Sequence, residues 1–328
     1  MNYLARRFGW YVLAAFGAIT VNFFIPRLAP GDPASAMFSQ YQGTLSPSAI
    51  KSLRSAYGLS NKPLLSQYFE YLDNLVHGNL GVSLSAFPTP VSTLIKSYLG
   101  WSILLGGTAV TVSFVIGSAI GAVAAWRRQG SVDKVAPPTL MFVGSFPYFF
   151  LALLLVYVLA FKVRLFPLGR AYAEGLTPAF NAEFVGSVIG HLVLPAATIV
   201  LVSLGSWTLN MRNVMIGILS EDYLALAEAK GVSPFRVFVR HAVRNALLPN
   251  ITILGMALGG VVGGQLLTEI VFSYPGVGSL LLHAITSLDY PLMQGLFLII
   301  VLGVLLANFV VDSLYTLLDP RVRIEASA

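Results

Sequence analysis

The side chains of this sequence that could do chemistry are few, and their spacing excludes most of it. Four histidines, His77, His191, His241 and His283, are scattered along the chain, with no H-E-x-x-H pair to place two imidazoles on one helix face for zinc. No G-x-S-x-G elbow presents a serine nucleophile. There is no cysteine, which removes thiolate nucleophiles, thiolate metal sites and disulfides. The dipeptide Gly-Lys occurs nowhere, so the chain lacks the glycine-rich loop that wraps nucleotide phosphates and is expected to bind no cofactor and to catalyse nothing itself. One stretch stands apart: AEAKGVSPFRVFVRHAVRNALLP at 227–249, where Arg236, Arg240 and Arg244 recur every four residues. Arginines at that spacing share one face of a helix and offer it to lipid phosphates or to a protein partner.

The elements that carry this stretch are set by composition. The 328 residues are 56% hydrophobic and 10% charged, with a mean hydropathy of +0.77. That balance describes an all-α integral membrane protein, because crossing roughly 30 Å of hydrocarbon takes about 20 apolar helical residues. Predominantly apolar runs at about 8–26, 98–125, 136–161, 188–211, 249–271 and 292–312 give six transmembrane helices. A β-barrel would alternate apolar and polar residues, and LALLLVYVLA does not. The first run is expected to be a retained helix, since it lacks a small-residue cleavage site. Twelve of the twenty Lys and Arg fall in segments that are cytoplasmic if the N-terminus is, and many of the others sit in one long loop that counts weakly. Both termini are therefore expected inside. The net charge of +6 is spent on topology and calls for no nucleic-acid partner.

This layout divides the chain into a cytoplasmic N-terminus with the first helix (1–29), an extracytoplasmic loop (30–97), a core of five further helices (98–316) and a cytoplasmic tail (317–328). In the loop, Ser46, Pro47 and the apolar set Ile50, Leu53 and Tyr57 predict one short helix, and Leu65, Phe69, Leu72 and Val76 a second. Pro147 and Pro195 predict kinks in the third and fourth spans. The glycines of GMALGGVVGG at 255–264 suit close helix packing. Glu269 and Asp312 are the only Asp, Glu, Lys or Arg within the spans, both near helix ends, and they read as interfacial or packing groups. An ion-coupled secondary transporter, the alternative reading, calls for such groups at the midplane.

Between the fourth and fifth spans the sequence predicts a hairpin over about 220–248. SEDYLALAEAK reads as a helix with Ser220 as N-cap and Glu221 and Asp222 at its positive end. Gly231 suits the left-handed residue that ends it. Ser233 can cap a second short helix with Pro234 at its first position, and Val237, Val243 and Leu247 lie around the cylinder from the arginines.

Glu228-Ala229-Lys230-Gly231 and the run from Phe238 to Pro249 resemble the cytoplasmic loop of the membrane permeases of ATP-binding-cassette importers, in the dipeptide/oligopeptide/nickel subgroup. The likeness continues through ARR at 5–7, PGDP at 30–33, YGL at 57–59, NLGVS at 79–83, FSYPGVG at 272–278, DYPLMQG at 289–295 and LLDPRVR at 317–323. Ala225 stands where the broader importer loop has a glutamate, six residues before Gly231, a departure that fits the peptide/nickel subgroup. The resemblance implies a type I importer permease fold in a prokaryotic plasma membrane. It also implies a second permease, two ATPase subunits that carry ATP and Mg, a solute-binding protein, and a peptide, oligosaccharide or nickel cargo. It makes the hairpin a coupling helix, with Tyr223, Ala227, Glu228, Ala229, Lys230, Gly231, Ser233, Pro234, Arg236, Arg240, His241 and Arg244 as the segment that meets the ATPase.

Overall fold

A computed structural model describes residues 2–28 and 63–318, with side chains over 6–24 and 63–313. The helix expected at 46–60, the PGDP and YGL motifs, and most of the C-terminal LLDPRVR lie outside these residues. Among the described residues the chain is helical, with a single isolated bridge between Val82 and Pro90.

The helices are α1 (Asn2–Leu28), α2 (Leu64–Val76), α3 (Val91–Trp126), α4 (Ser131–Gly144) and α5 (Tyr148–Leu155), which continues as a π-helical segment Val156–Lys162. Then follow α6 (Ala182–Leu219), α7 (Asp222–Ala229), α8 (Pro234–Gly263), α9 (Leu266–Val271), α10 (Val277–Thr286) and α11 (Tyr290–Leu318). Helices α1, α3, α6, α8 and α11 are each long and apolar enough to cross a membrane. At 36 and 38 residues, α3 and α6 extend to about 55 Å at 1.5 Å per residue, so both outrun the hydrocarbon core.

Two expectations about the spans change. The run 136–161 is not one kinked helix: α4 and α5 meet at 93° across Ser145–Pro147. Pro147 has no N–H to continue the ladder, and its ring disfavours a helical conformation at Phe146, so it starts a new helix from an extended ψ of 127°. Pro195 is buried inside α6, which continues through it as one helix. The fifth span begins earlier and ends earlier than 249–271, because Gly264 adopts a left-handed φ of +73° and stops α8, leaving α9 as a separate short helix.

The chain forms two compact units. The first comprises 1–102, 262–266 and 275–328. Here α1 and α11 run antiparallel: Arg7 and Tyr11 both bind the Asp312 carboxylate, Phe8 meets Phe309 at 5.8 Å between ring centroids, and the Asn22 side-chain amide donates to Gln294 O at 2.8 Å. Asp312 is thus a helix-packing group, as its position near a helix end implies. Helix α2 approaches α1 through Tyr68 and Tyr71 around Phe23, and leaves the predicted contact residues Leu65, Phe69 and Val76 exposed. Val91, Ile95, Val277, Leu280, Leu292 and Leu296 make the core of this unit.

Two of the sequence motifs converge in it. Asp289, fully buried, caps α11 through Leu292 N at 3.1 Å and accepts from Ser83 Oγ at 2.5 Å, Ser85 Oγ at 2.8 Å and Ser85 N at 2.9 Å. NLGVS and DYPLMQG are thereby one structure, and Gly295 lets α11 approach so closely that an added Cβ would lie 2.5 Å from Val91.

The second unit comprises 103–261 and 267–274. Its axis is α6. Gly117 and Gly121 of α3 face it, and a Cβ on Gly121 would lie 2.3 Å from Thr208 O. Gly205 of α6 meets the α4 backbone in the same way, with Leu140 O at 2.7 Å from an added Cβ. Glycine serves packing here by admitting a neighbour's backbone. In the 255–264 run the roles reverse, since Val261 of α8 fills the space left by Gly106 of α3.

Candidate functional site

The hairpin follows directly from α6. The Ser220 hydroxyl donates back to Gly217 O at 2.7 Å and closes α6, so it does not cap α7; Glu221, extended at ψ 136°, occupies that position without a side-chain bond. Helix α7 then ends in a complete glycine motif. Gly231 takes φ +78°, its N–H donates to Glu228 O at 2.9 Å, and Val232 N–H donates to Ala227 O at 3.2 Å. Ser233 adopts the extended conformation of an N-cap, again without a side-chain bond, and Pro234 opens the next helix. The chain has reversed within four residues.

The second arm is not a short helix. It is the start of α8 and runs uninterrupted toward the membrane, with one π-helical segment over Val237–Val243. The wider turn explains which side chains are buried: Val237, then Ala242 five residues on, then Ala246 after four more. Those three join Leu224 and Ala227 of α7, Met211 and Met215 of α6, and Ala122 and Ala125 of α3 in one apolar floor. Trp126 packs on Phe238 with ring centroids 5.1 Å apart. The arms are braced by Tyr223, whose hydroxyl donates to His241 O at 3.3 Å and accepts from the Asn245 amide at 2.8 Å.

Among the twelve residues singled out from the sequence, Ala227 therefore belongs to the floor, Tyr223 and half-buried His241 to the brace, and Gly231, Ser233 and Pro234 to the corner. Glu228, Ala229, Lys230, Arg236, Arg240 and Arg244 are exposed on the outer surface. With them stand two apolar side chains the sequence analysis did not single out, Phe235 at 76% and Leu226 at 55% exposure. The outer surface of the hairpin thus combines exposed apolar and cationic side chains on a base fixed by packing.

Behind the hairpin lie polar links that single-chain periodicity cannot reveal. Arg212 of α6 binds Asp133 of α4 through Nε at 2.5 Å and Nη2 at 3.2 Å, and Gln129 N–H also donates to that carboxylate at 2.9 Å. Two residues earlier on α6, the Asn210 amide donates to Asn250 Oδ1 of α8 at 2.7 Å, while Asn250 donates to Ala246 O at 2.7 Å. Both arms of the hairpin thus emerge from helices tied together just above it.

Comparison with known proteins places this geometry. Residues 117–324, which include the hairpin, match the family model described as binding-protein-dependent transport system inner membrane component. The chain is 34% identical over 341 residues to the di/tripeptide transport system permease protein of Pseudomonas aeruginosa, covering 98% of this chain and 99% of that one. It is 33% identical over 321 residues to the oligopeptide transport system permease protein of Bacillus subtilis, covering 98% of each. It is also 33% identical over 324 residues to the dipeptide transport system permease protein of the same organism, again covering 98% of each. The chain belongs to the family of inner-membrane components of binding-protein-dependent transport systems.

Proposed function

We propose that this protein is one of two permease subunits of an ATP-driven importer of di- or oligopeptides, and that its hairpin is the point at which ATPase subunits act on it. The names of its relatives support a peptide cargo in preference to an oligosaccharide or nickel. Six membrane crossings from one chain enclose too little space for such a cargo, which argues for the second permease. ATP and Mg belong to the ATPase subunits, and a solute-binding protein delivers the peptide to the extracytoplasmic face. Both termini and the hairpin lie on the cytoplasmic side of a prokaryotic plasma membrane.

The observation that carries this reading is the hairpin corner. Phe235 and Leu226 are exposed beside Arg236, Arg240 and Lys230, while the backs of the same helices are locked into the floor around Met211 and Met215. A rigid back transmits force, and an apolar, cationic front gives a groove something to grip. Movement of the ATPases is relayed through α6 and α8 to the conduit.

The test is uptake by the complete importer carrying Gly231→Val or Arg240→Glu. The first places a β-branched residue at φ +78°, where only glycine is unstrained. The second reverses a charge at the contact, and losing one interfacial charge pair costs about 2–5 kcal/mol, so uptake should fall at least about tenfold. Membrane levels should be unchanged and ATP hydrolysis should no longer track substrate. Normal coupled transport in both variants would show that the hairpin is not the docking element.

A further inference from the structure

The connection between α5 and α6 holds a pocket that the docking role leaves unused. Its volume is about 400 Å³, and Arg170, Tyr172, Glu174, His191 and Ser273 are among the residues that line it. The backbone around it is specialised. Arg170 and Ser273 have φ of +71° and +47°, values that side-chain-bearing residues adopt rarely and that mark a held conformation. Arg170 N–H donates to Phe272 O at 2.9 Å, and a Cβ on Gly169 would lie 2.5 Å from that same oxygen, so the connection is pressed against the Phe272–Ser273 segment.

The opposite wall is fixed by one serine. Ser187 Oγ accepts from Ala173 N–H at 2.8 Å, and its carbonyl lies 2.7 Å from His191 Nδ1. A carbonyl can only accept, so Nδ1 carries the hydrogen and Nε2 is left as the ring's other polar atom. Arg170 and Glu174 approach to 3.1 Å, with side chains 59% and 81% exposed. An ion pair that wet is weak, so both charges stay available to a ligand offering the complementary pair.

We infer that this pocket binds a zwitterion whose entry parts the Arg170–Glu174 pair, the free carboxylate of an amino acid or short peptide taking the Arg170 guanidinium and its ammonium taking Glu174. The guanidinium fork suits a carboxylate held by two parallel hydrogen bonds. A cavity near 400 Å³ is at the small end of ligand sites, which fits a ligand of two or three residues. The inference rests on the importer reading only for placing the pocket on the cargo's route; the ligand class comes from the lining itself.

The test uses the full chain in lipid nanodiscs, with trialanine as probe in calorimetry or ligand-observed NMR. Trialanine should bind, and N-acetyl-trialanine amide, which keeps the backbone but loses both charges, should bind at least about tenfold more weakly. Arg170→Ala and Glu174→Ala, both at exposed positions, should each weaken trialanine by a similar factor, and the swap R170E/E174R should recover part of the loss. Failure of trialanine to bind the parent chain, equal binding of the blocked peptide, or unchanged affinity in both variants would overturn the proposal. Peptide uptake by the complete importer is measured separately. Binding without uptake would count against the importer reading and leave the pocket standing.

Discussion

Asn250 is a fully buried amide in an apolar helix, and its surroundings account for it: it accepts from Asn210 and donates to its own helix at Ala246 O. Side-chain bonds between membrane helices contribute about 0.6 kcal/mol on average and up to about 1.7, because the separated helices find other partners. Asn250→Leu should therefore destabilise the chain by about 1 kcal/mol, read as a lowered midpoint of thermal unfolding in detergent. The double variant with Asn210→Leu should cost less than the sum of the singles, because the second substitution removes an amide already left unpaired. Strict additivity would show that the two amides act independently. The Asp133–Arg212 pair is held by a stronger, charge-assisted bond of the same kind. Neither pair was legible in the sequence. Asp133 and Arg212 are 79 positions apart and Asn210 and Asn250 are 40 apart, and no periodicity links residues on different helices.

At the level of elements, what could be read locally was read well. Long apolar runs gave the spans, and Gly231 with Pro234 gave the reversal, because in each case the cause lies within a few residues of the effect. Errors came where two local signals competed. Ser220 can cap a following helix or close a preceding one, and the Gly217 carbonyl took its hydroxyl. Pro147 and Pro195 look alike in sequence, yet α6 passes through Pro195 while the chain turns by 93° beside Pro147. The π-helical segment at Val237–Val243 left no signature at all; it is the register that lets both Val237 and Ala242 reach the floor.

Glycines were legible as packing residues but not as to which neighbour they admit. Gly121 and Gly107 are both in α3, and only the first faces a backbone, with Thr208 O 2.3 Å from an added Cβ against nothing within 4 Å for Gly107. Gly121→Ala should push α3 from α6 and destabilise by about 1–3 kcal/mol, the usual cost of overpacking. Gly107→Ala should leave the unfolding midpoint at or above that of the parent, since it adds a helix former in open space. Equal midpoints for the two variants would refute the close approach of α3 and α6.

For the whole molecule, the open question at 93° is whether α4 and α5 together cross the membrane or turn back on one side. Parity answers it. Arg7 and Tyr11 near the start of α1 meet Asp312 near the end of α11, so the first and last spans begin and finish at the same membrane face. A chain that returns to its starting face has crossed an even number of times. Among the described residues, helices α1, α3, α6, α8 and α11 supply five crossings, and α10, at ten residues, is too short to add one. The broken pair must then be the sixth. Ser131, before α4, and Glu174, after α5, are then expected on opposite faces, and the positive-inside bias of Arg127, Arg128 and Lys134 predicts that Ser131 is the cytoplasmic one. The chain has no cysteine, so a single one introduced at either exposed position is a unique label. In intact cells, Glu174→Cys should react with a membrane-impermeant maleimide and Ser131→Cys should react only after the membrane is opened. Reaction of both in intact cells, or of neither, would mean that α4 and α5 form a re-entrant loop, and the reverse pattern would invert the protein and carry the hairpin away from any cytoplasmic ATPase.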